Sequence, residues 1–412
     1  MHMADKVKKP ELLAPAGGIE QLRYALHFGA DALYCAVDRF GLRQRAENFS
    51  LDDMPEVVKI AHDAKAKVFV TCNAYMNASD IDDLPAYLES LSSSGIDGLI
   101  VSDLGAFRLA KKHAPHVALH ISTQASCSNE EAALQWYEMG AKRIVCAREM
   151  SLEAIERMRR AVPDDLEIEV FVHGAMCMAI SGRCLISDYL TGRSANRGHC
   201  TQPCRWEYVL EETSRPGQYY PVEEDARGTY LMNSNDMCML DHLDSLARIG
   251  VDSIKIEGRN KKAFYVATVV NAYRQVLDGA DSAAFASELD TISHRPYSTG
   301  FFFGPASQDS EVGEYEQRYD WVAEVVEPTQ NGRVRVVCRN RFYAGDELEV
   351  LSPHRPIRSL KVKDLHLEFS SGGTEAVDVA NRTMDLYSFA TTDNLFPHDI
   401  LRVKRKDPRH KN

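Results

Sequence analysis

Between residues 10 and 279, short apolar runs alternate with longer stretches in which apolar positions recur every three or four residues. The runs at 12–14, 32–37, 68–72, 98–101, 117–121, 143–146, 167–172 and 253–256 read as strands. Between them, helical periodicity occupies 19–28, 54–64, 81–92, 130–139, 152–161, 240–249 and 262–277. That alternation implies parallel strands joined by crossover helices. Gly29, Gly95, Gly140 and Gly250 stand where helices end and the next strand begins, as left-handed caps of a repeating unit would. Eight such units predict an α/β fold of the TIM (β/α)8 type, spanning 10–280.

The repeat is interrupted once, by residues 174–234 between strands seven and eight, a stretch too long for an ordinary βα loop. Because βα loops lie at the C-terminal face of a barrel, this insertion is expected over the mouth, where barrel active sites are built. Beyond Gly279 the pattern changes again. Residues 281–318 read as a connecting segment, and 319–405 as a small all-β, barrel-like domain with alternating runs such as WVAEVVEP, GRVRVVCRN, DELEVLSP, RSLKVKDLH, EAVDVA and DILRVKR. The basic tail RVKRKDPRHKN reads equally as a solubilising end or as a contact for RNA.

Composition adds a compartment. The 412 residues are 44% hydrophobic and 26% charged, with no apolar run long enough to span a bilayer. The N-terminal residues are basic without the apolar core of a secretory signal. Ten cysteines in such a chain suggest reduced or metal-bound thiols, hence the cytoplasm. A net charge of −12 argues against a protein that coats nucleic acid, although local basic patches can still steer an anionic partner.

Candidate chemistry concentrates in the insertion. EVFVHGAMCMAISGRC (169–184) begins as a buried strand and runs into His173, Cys177 and Cys184; Cys200 and Cys204 complete a C-x6-C-x15-C-x3-C pattern. Core packing explains single cysteines such as Cys35, Cys72 and Cys146 in strands better than four thiols in one irregular loop. Soft thiolates choose zinc or iron–sulfur clusters, but only Cys200 and Cys204 have the close spacing of a structural zinc pair, and a redox disulfide stays open. Cys238, in NSNDMCML, is expected on a helix near the site. Arg183, Arg193, Arg197 and Arg205 in the insertion could fork onto an anionic substrate or, equally, pair with acidic helices.

A peptidase finds less support in the pattern. Neither H-E-x-x-H nor G-x-S-x-G occurs. His116 and His120 would lie ~13 Å apart on one strand face, too far to share a metal. His173 could activate one thiol, which leaves the other three unexplained.

Polar residues also collect where strands end, as a barrel enzyme requires. His173, Asp103, Glu257 and His120 are the acid–base candidates. Arg43, Asn48, Gln124, Arg148, Lys255 and Arg259, with Arg183, Arg197 and Arg205 of the insertion, are the substrate-binding candidates. Lys255 and Glu257 alternate along one strand and could equally be an interior ion pair.

The stretch EVFVHGAMCMAISGRCLIS (169–187) resembles the signature of the collagenase-like peptidase family U32. ELLAPAG, GLRQRAENF, HISTQAS, NRGHCTQPCRWEY, MNSNDM and SIKIEGR extend the resemblance across most of the chain. The family's name implies a peptidase, whereas its better understood members imply hydroxylation with a cysteine-bound 4Fe-4S cluster. One branch converts the wobble uridine of tRNA to 5-hydroxyuridine in a prephenate-dependent way, a second acts on ribosomal RNA, and a third works as a pair in oxygen-independent ubiquinone hydroxylation. The cysteine spacing followed by RWEY, and the overall size, are most similar to the tRNA branch. By this resemblance Cys177, Cys184, Cys200 and Cys204 would hold the cluster, with Cys238 outside it. The partners implied are tRNA, a small acidic co-substrate such as prephenate, and an electron donor. Phosphates would meet Arg183, Arg193 and Arg197, or Arg355, Arg358, Lys361 and Lys363 of the C-terminal domain. The alternatives are a U32 peptidase and a cluster-dependent partner in an rRNA or quinone hydroxylation assembly.

Overall fold

A computed structural model describes residues 8–42, 48–176, 186–193, 195–203, 206, 209–211, 219–221, 235–304 and 316–405. The chain forms two compact units. The first comprises Met1–Leu26, Ala30–Lys262 and Arg295–Gly313; the second comprises His27–Gly29, Ala263–His294 and Glu314–Asn412.

The strands of the first unit are β1 (Glu11–Pro15), β2 (Ala32–Cys35), β3 (Lys67–Cys72), β4 (Gly98–Val101), β5 (Ala118–Ile121), β6 (Arg143–Val145) and β7 (Glu167–Ala175). They continue with β8 (Val209–Glu211), β9 (Tyr219–Pro221), β10 (Asp236–Cys238), β11 (Ser253–Ile256) and β12 (Tyr297–Ser298). β1 to β7 pair in sequence as parallel neighbours, and β11 pairs in parallel with both β7 and β1. The eight strands therefore close into a TIM-type barrel, as the alternation predicts. Strands such as β2 and β4 are buried at every position, which is why they appear in the sequence as continuous apolar runs.

The helices are α1 (Ile19–His27), α2 (Met54–Asp63), α3 (Ala78–Ser93), α4 (Leu104–His113), α5 (Glu130–Met139), α6 (Leu152–Ala161), α7 (Ile186–Thr191), α8 (Leu243–Arg248), α9 (Ala263–Leu277) and α10 (Ala283–Leu289). Their ends are set by local chemistry. Asn77 and Asp80 cap α3 reciprocally, Asn77 Oδ1 accepting from Asp80 N–H at 3.1 Å and Asp80 Oδ2 from Asn77 N–H at 2.9 Å. Gly140 closes α5 at φ +106°, a backbone that a side chain would strain. α4 is a helix that the periodicity does not single out, because its buried side is only Ala106, Phe107 and Ala110.

β7 runs beyond the barrel. Its end pairs antiparallel with β10, Ala175, Gly174 and His173 facing Asp236, Met237 and Cys238, and β10 pairs in turn with β12. Cys238 is therefore a strand residue set opposite His173, not a helix residue, the helical turn beginning only at Leu240. Backbone pairing with β7 outweighs the helical periodicity of the following segment.

The second unit contains α9, α10 and β13 (Tyr319–Gln330), β14 (Arg333–Cys338), β15 (Phe342–Tyr343), β16 (Glu347–Leu351), β17 (Arg358–Lys361), β18 (Lys363–Glu368), β19 (Thr374–Ala376), β20 (Val379–Ala380), β21 (Leu386–Ala390) and β22 (Ile400–Lys404). Eight of these strands form a curled antiparallel sheet in the order β17-β16-β22-β13-β14-β21-β18-β19, around a core that includes Val322, Val336, Phe342, Leu348, Tyr387 and Phe389. β21 lies in the middle of the sheet yet escapes the alternation rule, because its three central residues are all buried. Arg402 of β22 is almost completely buried. Its guanidinium reaches Glu349 of β16 at 2.7 Å and Glu288 of α10 at 2.8 Å, and packs over the Tyr319 ring. No helix among the described residues is long and apolar enough to cross a membrane.

Candidate active site at the barrel mouth

The barrel interior begins with an apolar layer of Leu13, Ala32, Tyr34, Phe69 and Ile100. Charges lie in the same interior. The fully buried Glu169 carboxylate accepts from Lys255 Nζ at 2.9 Å and from Arg143 Nη1 at 2.8 Å. Arg143 also reaches Glu11 at 2.8 Å and lies over the Phe69 ring, while Lys255 lies over Tyr34. Burial alone would raise the Glu169 carboxyl, but the two cations more than offset it and hold it below the ordinary range. Burial lowers the Lys255 ammonium, and Glu169, which it shares with Arg143, does not fully restore it. Lys255 thus pairs with Glu169 rather than with Glu257. The β11–β7 register shifts between Lys255 and Ile256, so Glu257 does not continue the strand's alternation.

His120 belongs to this interior too. Its ring packs edge-on to Phe69 at 4.6 Å, and burial together with Arg143 and Lys255 pushes its pKa well below the ordinary value, so it is neutral. Neither Arg143 nor Glu169 stands out as a mouth residue in the sequence. Their signal is a full charge inside an otherwise apolar strand, which in a closed barrel must find a buried partner.

At the C-terminal ends of the strands, Arg148 donates to Glu257 Oε2 at 3.1 Å and to the Ala175 carbonyl at 2.7 Å, its guanidinium stacked 3.9 Å over Phe171. This joins the segments after β6 and β11 to the extended end of β7. His173, fully buried, lies 5.4 Å from the Tyr297 ring, and its carbonyl accepts from Glu257 N–H at 2.8 Å. Arg259 donates to Thr71 Oγ1 at 3.0 Å. Gly17 permits that arrangement, since a Cβ there would stand 2.2 Å from the Arg259 carbonyl oxygen. Asn73 donates to Ser122 Oγ at 3.2 Å, which also receives Gln124 N–H at 3.2 Å. Asp103 is engaged as the cap of α4, accepting from Ala106 N–H at 3.0 Å. Asn48 immediately precedes Phe49, which bridges to Val37 beyond β2. The structure thus brings Arg148, Glu257 and His173 together and sets His120 and Lys255 deeper in the barrel.

The insertion is tied to this face by Arg197, whose fork meets Asp80 at 2.9 and 3.4 Å and whose Nη1 donates to the Tyr75 carbonyl at 3.2 Å. Its charge therefore meets an acidic helix start, one of the two roles that the sequence leaves open for the insertion's arginines. Cys200 Sγ accepts the Gln202 N–H at 3.4 Å. Cys177, Cys184, Cys204, Arg43, Arg183 and Arg205 lie outside the described residues. Among the described residues no group of three or more His, Cys, Asp and Glu side chains is arranged to hold a metal. Burial raises the Cys35 and Cys72 thiols to about 12 and also raises Cys146, so these remain protonated core residues as their strand positions imply.

A model of peptidase family U32 matches residues 17–311, and one of the family's C-terminal domain matches 317–402. The chain belongs to peptidase family U32. Among its relatives, tRNA hydroxylation protein P1 of Bacillus subtilis (strain 168) is 37% identical over 96% of this chain and 95% of its own. The 23S rRNA 5-hydroxycytidine C2501 synthase of Escherichia coli (strain K12) is 40% identical over 72% of this chain but only 43% of its own, so that U32 relative is the longer protein. A collagenase of Porphyromonas gingivalis (strain ATCC BAA-308 / W83) is 27% identical over 88% and 91%.

Proposed function

We propose that this U32 protein acts in tRNA hydroxylation, converting the wobble uridine to 5-hydroxyuridine, with a 4Fe-4S cluster on Cys177, Cys184, Cys200 and Cys204 and prephenate as acidic co-substrate. The observation that carries this reading is the likeness to a protein named for tRNA hydroxylation along almost the whole of both chains. The donor set suits a cluster: all four side chains are cysteines, and Cys200 Sγ receives a backbone N–H, the kind of hydrogen bond that tunes cluster sulfurs. When bound, the cluster supplies one-electron redox chemistry.

The chain's own residues provide the enclosure. Arg148, fixed by Glu257 and Phe171, holds the Ala175 carbonyl two residues before Cys177, and so orients the strand that leads into the cysteines. Asn73, Ser122 and Gln124 offer amide and hydroxyl groups at the mouth, where the edge of a uracil could be read. Arg259 supplies a cation for the acidic co-substrate.

A second reading, a thiol peptidase, is favoured by the β10–β7 pairing that sets Cys238 opposite His173. One set of proteins separates the two. Wild type purified without oxygen is expected to carry about four irons and four sulfides per chain. A Cys184→Ser variant is expected to lose the visible cluster absorption and the ability to restore 5-hydroxyuridine to tRNA of a deletion strain, read by nucleoside mass spectrometry. Iron-free wild type with normal tRNA in the deletion strain would sink the first reading. Gelatin hydrolysis abolished by Cys238→Ser but not by Cys184→Ser would establish the second.

A further inference from the structure

Three adjacent strands carry polar side chains at one level of the barrel mouth. Thr71 of β3, Ile100 of β4 and His120 of β5 are register partners, and Ile100 and His120 face the barrel interior beside Phe69. Two residues further along each strand, alternation turns Asn73, Ser102 and Ser122 to the same side. Their hydrogen bonds agree with that placement. Ser102 Oγ donates to the Asn73 carbonyl at 3.1 Å, Asn73 Nδ2 donates to Ser122 Oγ at 3.2 Å, and Gln124 N–H donates to the same Oγ at 3.2 Å.

This network leaves one acceptor and one donor over. Ser122 is only 2% exposed, and a hydroxyl has two acceptor sites and one hydrogen. Both sites are taken, so the hydrogen remains, and it meets no acceptor among the described residues. Asn73 Oδ1 is shielded from solvent and has no hydrogen-bond partner among the described residues. A buried acceptor left without a partner is costly, which marks Asn73 Oδ1 as a group kept for a ligand. Because Nδ2 is committed to Ser122, the amide cannot turn over without losing that bond, and the mouth presents its acceptor and donor in a fixed order.

That order has a chemical counterpart among the pyrimidines. Uracil presents N3–H between two carbonyl oxygens, whereas cytosine presents a bare N3 beside an amino group. Asn73 Oδ1 is complementary to the first and sets acceptor against acceptor with the second. The cation assigned to the acidic co-substrate is close at hand, since Arg259 donates at 3.0 Å to Thr71, the residue two before Asn73 on the same side of β3.

We propose that Asn73 Oδ1 accepts from N3–H of the target base while Ser122 donates to a flanking carbonyl, so that this pair selects uridine over cytidine. The inference rests on the tRNA uridine reading and adds to it the residues that set the identity of the base.

Competition fluorescence anisotropy of the full-length, anaerobically purified protein tests it, using anticodon stem-loops with uridine, cytidine or N3-methyluridine at the wobble position. Wild type is expected to bind the uridine loop about tenfold or more tighter than the other two, because both lack the N3–H. Asn73→Ala is expected to lose that preference by weakening the uridine loop alone, whereas a damaged fold would weaken all three. Ser122→Ala frees the amide to turn and offer Nδ2–H, and is expected to bring the cytidine loop up to the affinity of the uridine loop. Should Asn73→Ala fail to fold, the wild-type comparison with N3-methyluridine and the Ser122→Ala protein decide the matter. Wild type that binds all three loops equally or prefers cytidine, or a folded Asn73→Ala protein that keeps the wild-type preference, would overturn the base-reading role and leave a role in tRNA hydroxylation standing. Wild type that binds none of the loops would overturn both.

Discussion

Glu169 is the residue on which the barrel interior depends electrostatically. It is the carboxylate shared by Lys255 and Arg143, and each of these cations lies over an aromatic ring. Glu169→Gln leaves Lys255 buried without its anion and is expected to destabilise the first unit by about 3–5 kcal/mol in denaturant unfolding. A smaller loss for the double variant Glu169→Gln/Lys255→Met would identify the cause as the stranded charge. His120 gives the interior a pH dependence. Its folded pKa lies below the unfolded value of 6.5, so the unfolded state binds the extra proton; the stability is complete above that pH and declines as pH falls below it. The slope from one such group is at most about 1.4 kcal/mol per pH unit. Stability of wild type is expected to fall between pH 6.5 and 5.5 more steeply than that of His120→Leu; parallel curves would mean that His120 takes up its proton as readily in the fold as in the unfolded chain. Neither role is legible in the sequence. A histidine at a strand end reads as a mouth residue, and only the closed barrel, which turns that position inward, makes it a neutral core residue.

At the scale of elements, the pattern resolved well wherever periodicity has a single cause. All eight barrel strands lie within a few residues of the apolar runs, because strands buried on both faces must be apolar throughout. It resolved less well where an element is held by a partner remote in sequence. β10 exists because the end of β7 pairs with it, and α10 is fastened to the sheet through Glu288 and Arg402. Arg402→Leu is expected to leave the half-buried Glu288 and Glu349 without their shared cation. It should cost about 3 kcal/mol or more in unfolding and increase amide exchange along α10. An α10 that exchanges no faster than in wild type would show that the helix is held by apolar contacts alone.

For the whole molecule, a net charge of −12 describes the chain but not how its charges are placed in space. Charge averaged over a sequence is blind to position, whereas the fold gathers Glu11, Arg143, Glu169 and Lys255 from four different strands into one barrel interior. The two compact units have separate cores, so the Glu169 and Arg402 substitutions are expected to act on different parts of an unfolding profile.

The sequence by itself determined the repeat, the barrel, the place of the insertion and the family, because each depends on local periodicity or on an ordered set of short motifs. Tertiary structure alone decided which charges pair: Lys255 with Glu169, Arg148 with Glu257, and Arg197 with Asp80. Such pairings depend on distances across the barrel, and residues far apart in the chain become neighbours only when the sheet closes.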